Sequence, residues 1–121
     1  MTQKISLLTL AVTAAVALEA KRAVTADGNY APAGGNAFGV TNTKGAIGDR
    51  VPTDVLGTTV ATAGAAFDAH DYLEVGSAGK LVAQDEGTAV AQALQAATAD
   101  GDRVEVLVIQ NAPPVPANTS T

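Results

Sequence analysis

Gly101-Asp102-Arg103-Val104-Glu105-Val106-Leu107-Val108-Ile109 is the stretch that decides how this chain folds. After a Gly-Asp turn the residues alternate polar and apolar, then end as an apolar run. That is the pattern of a strand with one face first wet and then buried. The opening four residues occur earlier as Gly48-Asp49-Arg50-Val51, 53 positions before. A second echo lies 49 positions apart: Ala17-Leu18-Glu19-Ala20, two polar residues and Ala23-Val24 are matched by Ala66-Phe67-Asp68-Ala69, His70-Asp71 and Tyr72-Leu73. Loops absorb the difference of four. The reading is a β unit present twice, over 15–57 and 64–110, within a single domain spanning 15–110.

Working outward, turn residues punctuate the chain at Ala26-Asp27-Gly28-Asn29, Ala33-Gly34-Gly35-Asn36, Lys44-Gly45 with Gly48-Asp49, Gly76-Ser77-Ala78-Gly79 and Ala99-Asp100-Gly101-Asp102. Glycine supplies positive φ there, and Asp or Asn bonds to nearby backbone. Asp71-Tyr72-Leu73-Glu74-Val75 and Lys80-Leu81-Val82-Ala83 flank one such turn and predict a β-hairpin. Thr58-Thr59-Val60-Ala61-Thr62 is a further β-branched segment. Residues 88–99 have helix propensity enough for about three turns. The repeat favours a strand instead, because it sets Phe38-Gly39-Val40 against Ala91-Gln92-Ala93, with one helical turn following. The expected fold is all-β, a compact barrel or sandwich-like domain with extended N- and C-terminal arms.

Composition narrows the function. Of the 121 residues 26 are alanine and only Tyr30, Phe38, Phe67 and Tyr72 are aromatic, so the core is built from Val, Leu, Ile and Ala. A core of such small side chains benefits from burial against a partner, and oligomerisation is expected. Net charge is -5, and the seven basic residues are scattered, with no aromatic-laced basic patch for nucleic acid. Cysteine is absent, which excludes disulfides and thiolate metal sites.

The two ends read differently from the middle. Lys4, the apolar run from Ile5 to Val12 and Ala15-Val16-Ala17 imitate a secretory signal. The run meets Glu19 after about 14 mostly apolar residues, too few to span a bilayer as a helix. Residues 1–14 are therefore expected to be an N-terminal strand or arm at an interface. Residues 111–121 carry three prolines and no charge, the composition of a semi-extended tail. Both ends are candidates for reaching across to partners.

No residue is nominated as catalytic, cofactor-binding or metal-binding, and no small-molecule substrate or membrane contact is expected. His70 has Asp68 and Asp71 beside it but no identifiable nucleophile to complete a triad, and no second histidine or thiolate for a metal. It is read as a surface or subunit-contact residue. Gln84-Asp85-Glu86-Gly87 offers too few oxygens at calcium-loop spacing and reads as an acidic turn. Gly34-Gly35 and Gly45-Ala46-Ile47-Gly48 lack the Lys and Ser/Thr of a phosphate cradle. Arg50 and Arg103 are expected to pair with the neighbouring Asp or with another subunit.

Taken in order, Ala17-Leu18-Glu19-Ala20 to Val24, Ala26-Asp27-Gly28, Ala37-Phe38-Gly39-Val40, Gly48-Asp49-Arg50-Val51, Ser77-Ala78-Gly79-Lys80-Leu81-Val82, Gln92-Ala93-Leu94-Gln95-Ala96-Ala97 and Gly101 to Val108 resemble the phage capsid cement or decoration proteins of the DUF2190 family. The resemblance implies a structural protein on the outer surface of an expanded tailed-phage head, stabilising contacts between major capsid subunits. It also implies a homotrimer on the virion without direct nucleic-acid contact. The alternative from another class is a secreted carbohydrate-binding or adhesion module, for which Tyr30 and Tyr72 would have to cluster on one exposed face.

Overall fold

Segments rich in Val, Leu and Thr form eight strands: β1 (Ser6–Thr13), β2 (Ala23–Val24), β3 (Gly39–Thr41), β4 (Arg50–Thr62), β5 (Tyr72–Val75), β6 (Leu81–Ala83), β7 (Ala91–Ala93) and β8 (Arg103–Val108). They come from a computed structural model, which describes residues 5–110. The order across the sheet is β2-β3-β4-β8-β7-β5-β6, with β1 also paired to β4. Every strand pair is antiparallel. A parallel bridge from Ala63 to Leu81 brings the end of β4 to β6, so the sheet nearly closes into a barrel. The helical content among the described residues is one 3-10 turn, Ser77–Gly79, inside the β5–β6 hairpin.

The ladders recur along the chain. Val12–Val51 and Thr13–Arg50 between β1 and β4 reappear as Ala61–Val104 and Thr62–Arg103 between β4 and β8. Val40–Asp54 and Thr41–Thr53 reappear as Gln92–Leu107 and Ala93–Val106. Ala23–Val40 and Val24–Gly39 reappear as Tyr72–Gln92 and Leu73–Ala91. Turns follow suit: Ala14 donates to Asp49 O (2.8 Å) as Ala63 donates to Asp102 O (2.7 Å), and Lys21 and His70 both have positive φ. The second half of β4 is thus the equivalent of β1, so the correspondence takes in residues ahead of both 15 and 64.

Two expectations are corrected in detail. The match to β7 is Gly39–Thr41, one residue away from Phe38-Gly39-Val40 against Ala91-Gln92-Ala93, because the loop after β7 holds one residue more than the loop after β3. No helical turn follows β7; Ala97 instead exchanges backbone bonds with Phe67, at 3.0 and 3.1 Å.

The core divides along the same lines. One cluster joins Ala23 and Val40 from the N-terminal half to Leu73, Val75, Leu81, Val104 and Val106 from the C-terminal half, and it fills the barrel. Ala14, Leu18, Val24 and Val51 form a smaller cluster outside it, closed by Tyr30. Their equivalents, Ala63, Phe67, Leu73 and Val104, all belong to the larger cluster. Burying each Leu or Val of these sets contributes about 1.5–3 kcal/mol, which is how so aromatic-poor a chain holds together.

Candidate interaction surfaces

β1 is a strand of the sheet rather than an arm, and a buried carboxylate fixes it there. Asp54, fully buried on β4, accepts hydrogen bonds from Ser6 Oγ (2.9 Å) and Thr9 Oγ1 (2.8 Å) of β1, from Asn42 Nδ2 (3.1 Å) after β3, and from Thr59 Oγ1 (2.7 Å) further along β4. Buried polar groups hold their place by such pairing. β4 bends next to it, where the β1 register shifts and Gly57 takes φ +93°. A Cβ there would sit 2.3 Å from Ile5 O, so only glycine allows β1 this close.

Although β1 is held by backbone and by Asp54, it buries little of its apolar surface. Val12 is buried, but Leu7 is 74% exposed, Ile5 62%, and Leu8 and Leu10 41% each. Leu56, opposite Leu8, is exposed as well. Among the described strands β1 pairs with β4 alone, so its other edge is open.

A second exposed wall adjoins this one. Residues directly opposite one another share a face of the sheet, which places Thr9, Asp54, Val40 and Ala23 in one row leading into the barrel. The equivalent row, Thr58, Leu107, Gln92 and Tyr72, lies on the outside. Tyr72 is 52% exposed and Leu107 39%. Thr58 meets Ile5 through its amide (2.9 Å) and its hydroxyl (2.7 Å), so the row runs into the β1 leucines. Glu74 and Glu105 lie among these strands. The amides of Asp85 and then Gly87 hold the Glu74 carboxyl below its ordinary pKa.

The residues weighed for chemistry serve turns. Asp71 Oδ2 accepts the Asp68 amide (3.0 Å), while His70 is exposed with φ +74°. Asp49 Oδ2 accepts the Ala46 amide (2.9 Å). Asp102 Oδ2 takes the Thr98 amide and hydroxyl (both 2.8 Å) and the Ala99 amide (3.3 Å), and those bonds lower its pKa, the Thr98 amide most. Those carboxylates serve their own turns in place of the expected pairing with Arg50 and Arg103, whose side chains lie exposed. In the acidic turn, Gln84 Nε2 donates to Gly87 O (2.9 Å). Among the described residues no three His, Cys, Asp or Glu gather as a metal site. A shallow concavity of about 400 Å³ beside Leu18 is lined by Ala17, Glu19, Lys44, Gly45, Ala46 and Asp49, with no serine, threonine, cysteine or histidine. Tyr30 packs on the smaller cluster and its hydroxyl accepts the Glu19 amide (2.9 Å), so it forms no open aromatic platform with Tyr72.

Sequence reasoning missed Asp54, Leu107 and Tyr72 as the residues that organise and populate these surfaces. The repeat itself held the signal for the last two. Leu107 and Tyr72 stand where the first half has Asp54 and Ala23, both inside.

An all-β protein with an open strand edge and an exposed wall bearing Tyr72 and Leu107 has the surfaces of one that works by contact. The phage cement protein family model matches residues 2–108, and the chain belongs to that family. It is a structural protein of the phage virion, at the capsid surface. The crystal structure of the head fiber gp8.5 N base in bacteriophage phi29 is similar in fold, with a TM-score of 0.70 at 19% identity over 89% of this chain and 98% of that one. No curated protein matches the chain.

Proposed function

We propose that this protein binds the outer surface of an expanded tailed-phage head as a homotrimer of the DUF2190 kind and bridges neighbouring major capsid subunits. The observation that carries this reading is the outward row from Tyr72 through Gln92, Leu107 and Thr58 to Ile5 and Leu7, which leaves four large apolar side chains exposed, on a chain of the cement family. Large apolar side chains left exposed together and rimmed by polar residues mark a contact site. A protein that binds only the assembled, expanded lattice stabilises that lattice by mass action, and many symmetry-related copies add their effects. Residues 111–121, uncharged and proline-rich, lie outside the described residues and are proposed as a second contact with the shell.

The test is mechanical. Filled heads lacking the protein are heated with and without it added back, and DNA release is followed by dye fluorescence. Heads with the protein are expected to release DNA at a higher temperature, and coincident release curves would remove the cementing role.

A further inference from the structure

The open edge of β1 has a filled counterpart elsewhere in the same molecule. In the second half of β4, the equivalent of β1, the amide of Ala63 points to β8 and bonds Asp102 O (2.7 Å). On the opposite edge the amides of Thr58 and Thr62 bond Ile5 O and Lys21 O, both at 2.9 Å. That strand is therefore bonded on both sides, by β8 on one and by the N-terminal half on the other. Moved back 49 residues, the same positions are Ala14, Thr9 and Thr13. Ala14 bonds Asp49 O of the β4 side (2.8 Å), so alternation directs the amides of Thr13, Ala11 and Thr9 to the edge that no described strand covers.

What fills the equivalent edge is another unit of the same kind, and a second copy of the chain can supply one. Charge agrees. The chain carries -5 overall, so two copies repel across most of their surfaces. Residues 5–18 contain no charged side chain at all. Edge strands that must stay single are commonly guarded by Lys, Pro or a short length. β1 has eight residues and none of these guards, and it presents Ile5, Leu7, Leu8 and Leu10 beside the open edge.

We propose that copies of this chain associate through the open edge of β1, a second copy bonding the backbone of residues 9–11 and covering Leu8 and Leu10. This rests on the homo-oligomer of the capsid reading and names the edge that forms it; variants that keep the oligomeric state sink the edge alone, whereas absence of head binding sinks the capsid reading. The experiment is sedimentation velocity on the full chain and on two variants. Ala11→Pro deletes an outward amide at an exposed edge position, where proline is tolerated within a single chain. Leu10→Glu places a charge on an exposed leucine beside that edge. The wild type is expected to sediment as an oligomer and both variants as monomers, with wild-type circular dichroism and urea midpoints. A monomeric wild type, or variants that keep its oligomeric state, would overturn the proposal. So would variants that lose capsid binding while remaining oligomeric, because the edge would then belong to the shell.

Discussion

Replacing Asp54 by alanine is expected to lower stability by about 3 kcal/mol, which for a domain of this size is a fall in Tm of roughly 12 °C. Four donors lose their acceptor at once. Ser6 and Thr9 lie near the surface and recover water, but Thr59 is fully buried and Asn42 partly so. Leaving a buried donor unpaired costs about 1–3 kcal/mol in itself. The loss falls on β1, since two of the four bonds are its attachment. Hydrogen exchange should therefore quicken over residues 6–13 before it does in β8. Asp54→Asn keeps the shape and one acceptor oxygen, and its expected cost is smaller, about 1 kcal/mol. An unchanged Tm for Asp54→Ala would mean that backbone pairing alone holds β1.

A second large effect is expected at Gly28, and a small one at Gly48, though the two have almost the same backbone angle. Their φ values are +89° and +91°. A Cβ at Gly28 would stand 1.9 Å from Thr13 O and 2.7 Å from Ala15 N, both backbone atoms, so β1 and the turn would have to separate. The Ala15 amide is bonded to Gly28 O (2.9 Å) and resists that movement. At Gly48 nothing lies within 4 Å of such a Cβ. Gly48→Ala should therefore cost only the backbone strain, about 1–2 kcal/mol, and Gly28→Ala that strain plus the clash, about 3 kcal/mol or more. Urea unfolding of both variants measures the contrast. Equal midpoints would show that the turn relaxes freely and that Gly28 does not fix β1.

The legible parts of this fold were those whose pattern is local. β8 alternates and has a turn before it, and the β5–β6 hairpin is bounded by glycines, so neither needs the rest of the chain to be recognised. β7 was separable from a helix only through the repeat, and there the offset was one residue off because loop length does not register in residue type. β4 was half hidden. Its second half is β-branched, but Pro52, Asp54 and Gly57 each argue against a strand in the first half. Pro52 lies just past the end of the β3 ladder, where its carbonyl accepts the Asn42 amide (2.9 Å) and only its own donor is missing, and Gly57 stands where the β1 register shifts. Asp54 is accommodated because hydroxyls 45 and 48 residues away in sequence arrive to satisfy it. Nothing near Asp54 in the chain announces those partners.

The contact surface was legible only in part, for a related reason. The N-terminal run was read as a strand or arm with interface character, and its apolar composition is what that rests on. Composition does not say which of its residues stay exposed. Val12, paired with Val51, is buried, while Leu8 and Leu10, which share its face by alternation, stay exposed. As a surface residue, Tyr72 enters the sequence reading only as half of an aromatic face with Tyr30. Its row faces outward because the barrel interior is lined by one face of the N-terminal half and the opposite face of the C-terminal half, and that crossover occurs within β4.

The central claim is that this protein's surfaces fit an assembled, expanded phage head. The most direct measurement is co-sedimentation of the purified protein with undecorated expanded heads from its own phage, set beside immature heads and bound protein quantified against added protein. The account predicts saturable binding to expanded heads and none to immature ones. Absence of binding to expanded heads would contradict it.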